Sequence, residues 1–223
     1  MKTYWDSEAI RHHKEYEKKC DNLTSRILAT FSMPVKRARV NLAIEMIAKQ
    51  DDIKEVLDIG CGTGQFAVEL ALKRKNIKVY GVDISRKAID LAKELAIKYE
   101  VENRVDFYVA DVDASRVNFP KSDVSVGLGI IEYVKDVPLF LKNIRKSAFR
   151  LFISYPKKNH WKSYFFKAYG RQAHIKLFSA KQIYTLVESA GFKNVKILEL
   201  CSGNRLKRFF SLKGNCAVVH NVY

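Results

Sequence analysis

Val56-Leu57-Asp58-Ile59-Gly60-Cys61-Gly62-Thr63-Gly64 decides the fold. Val56 to Ile59 is of strand length and apolar but for Asp58, the alternating glycines mark a sharp turn, and Gln65 to Lys75 follows at once with apolar residues at helical spacing. Strand, glycine turn and helix in immediate succession open a parallel α/β sheet, in which ligands sit beyond the carboxyl ends of the strands. Glycine lets the chain turn tightly and approach a ligand with no Cβ in the way. The helix N-terminus adds unpaired N–H donors and partial positive charge suited to an anionic group.

Downstream the same alternation recurs. Strands are predicted at Lys54 to Ile59, Ile77 to Val82, Arg104 to Ala110, Asp123 to Leu128, Phe149 to Tyr155, Val195 to Leu200 and Cys216 to Val219. Helices are predicted at Gln65 to Lys75, Arg86 to Tyr99, Asp136 to Lys146 and Ala180 to Ala190, the last stopped by Gly191. Upstream, a polar helix over Ser7 to Lys19 and an amphipathic one over Val35 to Lys49 are expected to cap the sheet or cover a ligand. The expectation is one domain over 1–223: a helical cap at 1–50, a core at 51–223 and an insertion at 156–178 that breaks the alternation.

Glycines alone leave two ligands open, because Gly62-Thr63-Gly64-Gln65-Phe66-Ala67 also satisfies the GxGxxA variant of the dinucleotide fingerprint. Asp58 argues against that ligand. A carboxylate before the glycines repels a pyrophosphate but can hold the α-ammonium of a methionine moiety. Asp83, after Val79-Tyr80-Gly81-Val82, stands about 20 residues on, where an acid accepts both ribose hydroxyls. The third strand ends in Ala110-Asp111-Val112, where Asp111 can accept from an adenine amino group. Each acid alone reads equally well as a turn or helix-cap residue. Three of them at successive strand tips form a far more specific signal.

From about Lys54 to Leu200 the chain resembles the class I S-adenosylmethionine-dependent methyltransferase family. The resemblance implies a doubly wound, mostly parallel α/β sheet of seven strands in order 3-2-1-4-5-7-6, the last antiparallel and lying within Gly214 to Val222. It implies S-adenosyl-L-methionine as cofactor. Asp58, Gly60, Cys61, Gly62 and Gly64 would line its methionine end, Asp83 with Ile84 its ribose, and Asp111 with Val112 its adenine. Gly127-Leu128-Gly129-Ile130-Ile131-Glu132-Tyr133-Val134 resembles the fourth-strand motif, so Leu128 and Gly129 would lie near the sulfonium. Many small-molecule members read Glu-His-Val where this chain reads Glu132-Tyr133-Val134. Candidates for a general base are therefore Tyr133, Glu132, His13, His12 and Tyr16, where the histidines also read as a solvated helix face.

Composition bounds the partners. Lysine and arginine exceed acids by 40 to 24, a net charge of +16 whose field attracts anions over about 8 Å. Lys157, Lys158, Lys162, Lys167, Arg171 and Lys176 alternate with Trp161, Tyr164, Phe165, Phe166 and Tyr169, which fits a solvated loop, an RNA- or phosphate-contacting patch or an anionic-membrane contact. Cys20, Cys61, Cys201 and Cys216 lack disulfide or zinc spacing, so no metal is expected. The amino-terminal residues show no apolar signal run, which points to the cytoplasm. The expected activity is methylation of an oxygen or nitrogen of a small, anionic or lipid-like acceptor. RNA methylation and a non-catalytic cofactor-binding module are the alternatives, and the absence of an Asn/Asp-Pro-Pro-aromatic motif or a Pro-Cys pair argues against base methylation. Oligomeric state is not legible.

Overall fold

The computed structural model describes residues 2–17, 23–114, 117–158, 175–200 and 216–221. Seven strands form one sheet: β1 (Glu55–Ile59), β2 (Lys78–Asp83), β3 (Val105–Val109), β4 (Val124–Leu128), β5 (Arg150–Pro156), β6 (Val195–Glu199) and β7 (Cys216–Asn221). Their order is β3-β2-β1-β4-β5-β7-β6. β1 to β5 pair in parallel, and β7 runs antiparallel to both β5 and β6. This is the doubly wound arrangement expected from the sequence.

Helices cover both faces because the strands alternate their side chains between them. Val56 points to one face, with Val40, Ala43, Ile44 and Ile47 of α2 (Leu23–Ala48) and with Phe66, Ala67 and Leu70 of α3 (Gln65–Lys73). Ile89 and Ala92 of α4 (Arg86–Lys98) join the same layer. Leu57 and Ile59 point to the other, against Phe140, Leu141 and Ile144 of α5 (Val137–Ser147) and Ile183 and Val187 of α6 (Ala180–Ser189). The helices after β2 each begin at a side-chain cap. Asp136 accepts from Leu139 N at 2.9 Å, and Ser179 forms a reciprocal capping box with Gln182.

The amino-terminal helices differ from expectation. α1 spans Lys2–Tyr16 rather than starting at Ser7, and α2 begins at Leu23 and continues through Pro34. α2 buries the 40, 43, 44, 47 stripe, so it is a face helix of the core. Among the described helices, α1, packed on α4 and α2, is the one that lies outside the two layers. Arg74, almost wholly buried, ties α3 to the end of α2 through the carbonyls of Ala48 (3.4 Å) and Gln50 (2.9 Å). Among the described residues no helix is long and apolar enough to cross a membrane. The core of the predicted basic-aromatic insertion, 159–174, lies outside the described residues. Its ends join β5 through Lys158 N to Phe178 O (3.0 Å) and Phe178 N to Pro156 O (3.2 Å).

Candidate functional site

In-register parallel pairing aligns the strand tips: Ile59 stands opposite Val82, and Asp83 opposite Val109. The glycine loop is then fastened to β2, with Gly60 N and Cys61 N both donating to Val82 O at 2.8 and 3.0 Å. Gly62 has φ +54°, a left-handed conformation that favours glycine, and a Cβ there would meet nothing within 4 Å. Gly62 thus borders open space. Gly64, at φ +80°, is needed for a different reason: its Cβ would strike Ala92 and Phe107, both at 2.9 Å. Gly64 caps α3 without a side-chain hydrogen bond, so the first N–H groups of that helix have no side-chain acceptor there.

Asp83 stands beside the opening. Its Oδ2 accepts from Gly62 N at 3.0 Å and its Oδ1 from Ser85 N at 2.9 Å, and a carboxylate with four lone pairs can still accept from a further donor. Burial raises its proton affinity, and the N–H groups of Ser85, Gly62 and Ile84 partly offset that. Asp58 is only 2% exposed, and its Oδ2 has no hydrogen-bond partner. Burial first, and the Asp83 charge second, push its carboxyl up to about 8. A cation is the group this oxygen lacks. Cys61 is buried and free, its thiol held well above the usual range by burial and by both acids, so it stays protonated and unreactive.

Asp111 is exposed, and its Oδ1 accepts from Asp113 N at 3.0 Å, the geometry of an ordinary turn. Ala110 N donates to Asp83 O at 2.9 Å, which brings the third strand tip against the second. Val112 and Leu128 are half-buried, packed on the two cores. Glu132 is 8% exposed with Oε2 unpartnered, and burial outweighs the Arg39 charge to raise its carboxyl. Burial, then Glu132, raises the Tyr133 phenol far above its ordinary value, so it holds its proton.

Several site residues were missed in the sequence. Trp5 meets Tyr133 edge-on at 4.8 Å, and Asp6 Oδ1 accepts from Ser85 Oγ at 2.5 Å and from Lys87 N at 3.3 Å. Both lie in the part of α1 that precedes Ser7. Ser85 also caps α4 by accepting from Ala88 N at 3.0 Å. Arg39 of α2 crosses Gly129 so closely that a Cβ there would lie 2.5 Å from Nη1. The residue types alone gave no signal for these. The base candidates on α1 scatter. His12 Nε2 accepts from Arg11 at 2.9 Å, since a guanidinium only donates, and burial and nearby cations keep the ring neutral. His13 Nε2 lies 3.7 Å from Glu17, with Nδ1 unpartnered, and Tyr16 lies under Arg37, whose Cζ is 5.4 Å from the ring centroid. Among the described residues no hydrogen bond or ring contact joins His13 to Glu132 or Tyr133, and no acidic, histidine or cysteine cluster suits a metal.

A model of a methyltransferase domain matches residues 14–197. The chain is 35% identical over 78 residues to a release factor glutamine methyltransferase of Dictyoglomus turgidum, covering 33% of this chain and 27% of that protein. It is 26% identical over 193 residues to a carboxy-S-adenosyl-L-methionine synthase of Nautilia profundicola, covering 75% and 82%. The chain therefore spans about a quarter of the first of these relatives and most of the second. The crystal structure of magnesium protoporphyrin IX methyltransferase from Synechocystis PCC 6803 with bound S-adenosylhomocysteine superposes with a TM-score of 0.74 at 17% identity, covering 99% and 98% of the chains, a likeness of fold. With a family model spanning most of its length, this chain belongs to the class I, S-adenosylmethionine-dependent methyltransferase-domain family.

Proposed function

We propose that this chain transfers a methyl group to an oxygen or nitrogen of a small acceptor that is anionic or carries an apolar body. The observation that carries the reading is the buried, unpartnered Asp58 Oδ2 beside the open left-handed turn at Gly62, with Asp83 on the facing strand tip. An ammonium suits Asp58, vicinal hydroxyls suit Asp83, and a carboxylate suits the uncapped N-terminus of α3. S-adenosylmethionine combines these groups and, when bound, supplies a methyl already activated on a sulfonium.

The protein's share is then positioning and exclusion of water. Asp58 holds a positive group, and Asp83 fixes the loop while offering acceptors. Trp5 and Asp6 draw α1 over the strand tips, which encloses the Tyr133 end and favours a small acceptor over a polymer. Tyr133, which keeps its proton, orients the acceptor as a hydrogen-bond donor rather than removing a proton from it. Where the acceptor must lose a proton, His13 offers a ring nitrogen with no partner among the described residues.

The test is a mass-spectrometric search of a cell extract for molecules that gain a methyl group when purified protein and isotopically labelled S-adenosylmethionine are added. Label in a low-molecular-weight acid or lipid supports the reading. Label confined to RNA, or no label at all, overturns it.

A further inference from the structure

At β3 the sheet ends on an unguarded edge. β3 closes the order β3-β2-β1-β4-β5-β7-β6 at one side, and among the described residues no strand pairs beyond it. The ladder to β2 draws on the even-numbered residues: Arg104 O accepts from Val79 N and Ala110 N donates to Asp83 O, both at 2.9 Å. Successive residues of a strand turn their peptide groups to opposite sides, so Val105, Phe107 and Val109 aim N–H and C=O away from the sheet. Lysine, proline or a bulge ordinarily blunts such an edge. Val105 to Val109 contains neither lysine nor proline, and it pairs with β2 residue for residue without a bulge.

The side chains along this edge are apolar and exposed. α4 ends against the start of β3, where Val101 N donates to Ala96 O (3.0 Å) and Arg104 N to Val101 O (2.8 Å). There Ile97 is 63% and Tyr99 46% exposed, and at the far end of the strand Tyr108 is 50% and Val109 36% exposed. Val109 shares the α4 face with the buried Val105 and Phe107, while Asp106 and Tyr108 share the other. Among the described residues no helix lies between β3 and β4 to cover that second face. Charge is balanced here as well: from 86 to 109 five basic residues meet five acidic ones, in a chain whose net charge is +16. Two copies of so basic a chain approach with least repulsion where charge cancels, and a polyanion finds no surplus of cations there.

We propose that this chain forms a two-fold dimer by pairing β3 antiparallel with β3 of a second copy, about an axis at Phe107. The outward peptide groups then match. Phe107 faces its own counterpart and Val105 faces Val109, so all three odd residues fall in hydrogen-bonded pairs. The even residues fall in the closer pairs between them, where Asp106 of one copy stands opposite Tyr108 of the other. Lys78 Nζ holds Asp106 Oδ2 at 2.9 Å, which leaves the other oxygen to accept from the phenol. On the α4 face the same antiparallel sense carries Val109 toward Ile97 and Tyr99 of the second copy, so exposed apolar surface meets its like. An axis at Asp106 would instead oppose two carboxylates, a destabilising pair. This edge is complementary to itself, which selects a second copy over an unrelated protein.

Sedimentation equilibrium from micromolar to millimolar protein tests the pairing, with Tyr108→Lys, Tyr108→Asp and Val109→Pro beside the wild-type chain. The wild type is expected to dimerise. Tyr108→Asp sets a carboxylate against Asp106 of the other copy, twice across the axis, and should weaken dimerisation by about tenfold. Tyr108→Lys sets an ammonium there and should stay within about threefold of wild type. Both substitutions remove the same exposed ring, and the overall charge works the opposite way, because lysine adds to +16 and aspartate subtracts from it. Val109→Pro deletes an outward N–H where an edge strand tolerates proline, so the chain should stay folded by circular dichroism and become monomeric. A wild-type chain that stays monomeric throughout, equal weakening by the two Tyr108 substitutions, or greater weakening by lysine overturns the proposal. A folded Val109→Pro that dimerises like wild type also overturns it. If Val109→Pro fails to fold, the two Tyr108 substitutions decide alone.

Discussion

Binding of S-adenosylhomocysteine is expected to expel a proton from Asp58. Burial and Asp83 hold that carboxyl up to about 8 in the ligand-free chain, so at pH 7 about nine-tenths of the molecules carry the proton. An ammonium placed at the unpartnered Oδ2 favours the ionised form and returns the group toward the ordinary range near 4. Ligand ammonium groups stay charged below about pH 7.5, given α-amino values near 7.7–8.0. Between pH 6 and pH 7 the affinity should therefore rise by about tenfold, or 1.4 kcal/mol, with about 0.9 proton released per ligand at pH 7. Calorimetry in two buffers of different ionisation enthalpy counts the protons directly. Asp58→Asn should abolish both the release and the slope, and should weaken binding at pH 7. Affinity of the wild-type chain that does not change with pH, or a proton release that survives in Asp58→Asn, would refute the assignment of the ammonium to Asp58.

The same carboxyl links stability to pH in the ligand-free protein. A folded value raised above the unfolded one near 3.8 means a contribution fully present below that value and lost as pH climbs through 8, so the melting temperature of Asp58→Asn should gain on wild type between pH 6.5 and 8. Asp83→Asn should weaken S-adenosylhomocysteine binding by about 1.5–3 kcal/mol for each charged hydrogen bond lost, measured by calorimetry, and unchanged affinity would remove Asp83 from the ribose role. The glycines should separate cleanly. Gly62→Val should abolish ligand binding with folding largely retained, since its side chain meets open space and only the positive φ opposes it, whereas Gly64→Ala lowers thermal stability through its collisions with Ala92 and Phe107. Tyr133→Phe should lower turnover more than cofactor affinity, and a wild-type rate across pH would reduce Tyr133 to packing on Trp5.

Much of this molecule was legible along the chain, because the signals involved are local. Val56 to Gly64 names a buried strand, a turn that needs positive φ and a helix start, and each is a property of consecutive residues. The seven strands and the helices from α3 onward follow from period, and the doubly wound layering and the strand order came with the family resemblance. Asp58 and Asp83 could be singled out because parallel pairing in register brings strand ends together.

The protonation of those acids could not be read this way. The charge argument for Asp58 takes an ionised carboxylate for granted, while its depth beneath the loop and its closeness to Asp83 make the ligand-free group largely neutral at pH 7. Desolvation is a property of everything packed around a group, and no spacing in the sequence encodes it. The amino-terminal helices fell short for a related reason. α1 is polar, so its start at Lys2 carries no periodic signature, and Pro34 hid the continuity of α2. Only the packing of those helices onto the strand tips brought Trp5 to Tyr133, Asp6 to Ser85 and Arg39 to Gly129, contacts between residues 79 to 128 positions apart in two of the three cases and 90 in the third. Sequence thus determined the sheet and the acids at the tips of β1 and β2, where neighbours in the chain act together. The cluster around Tyr133 was decided by tertiary structure, because long-range packing alone brings its groups into one place.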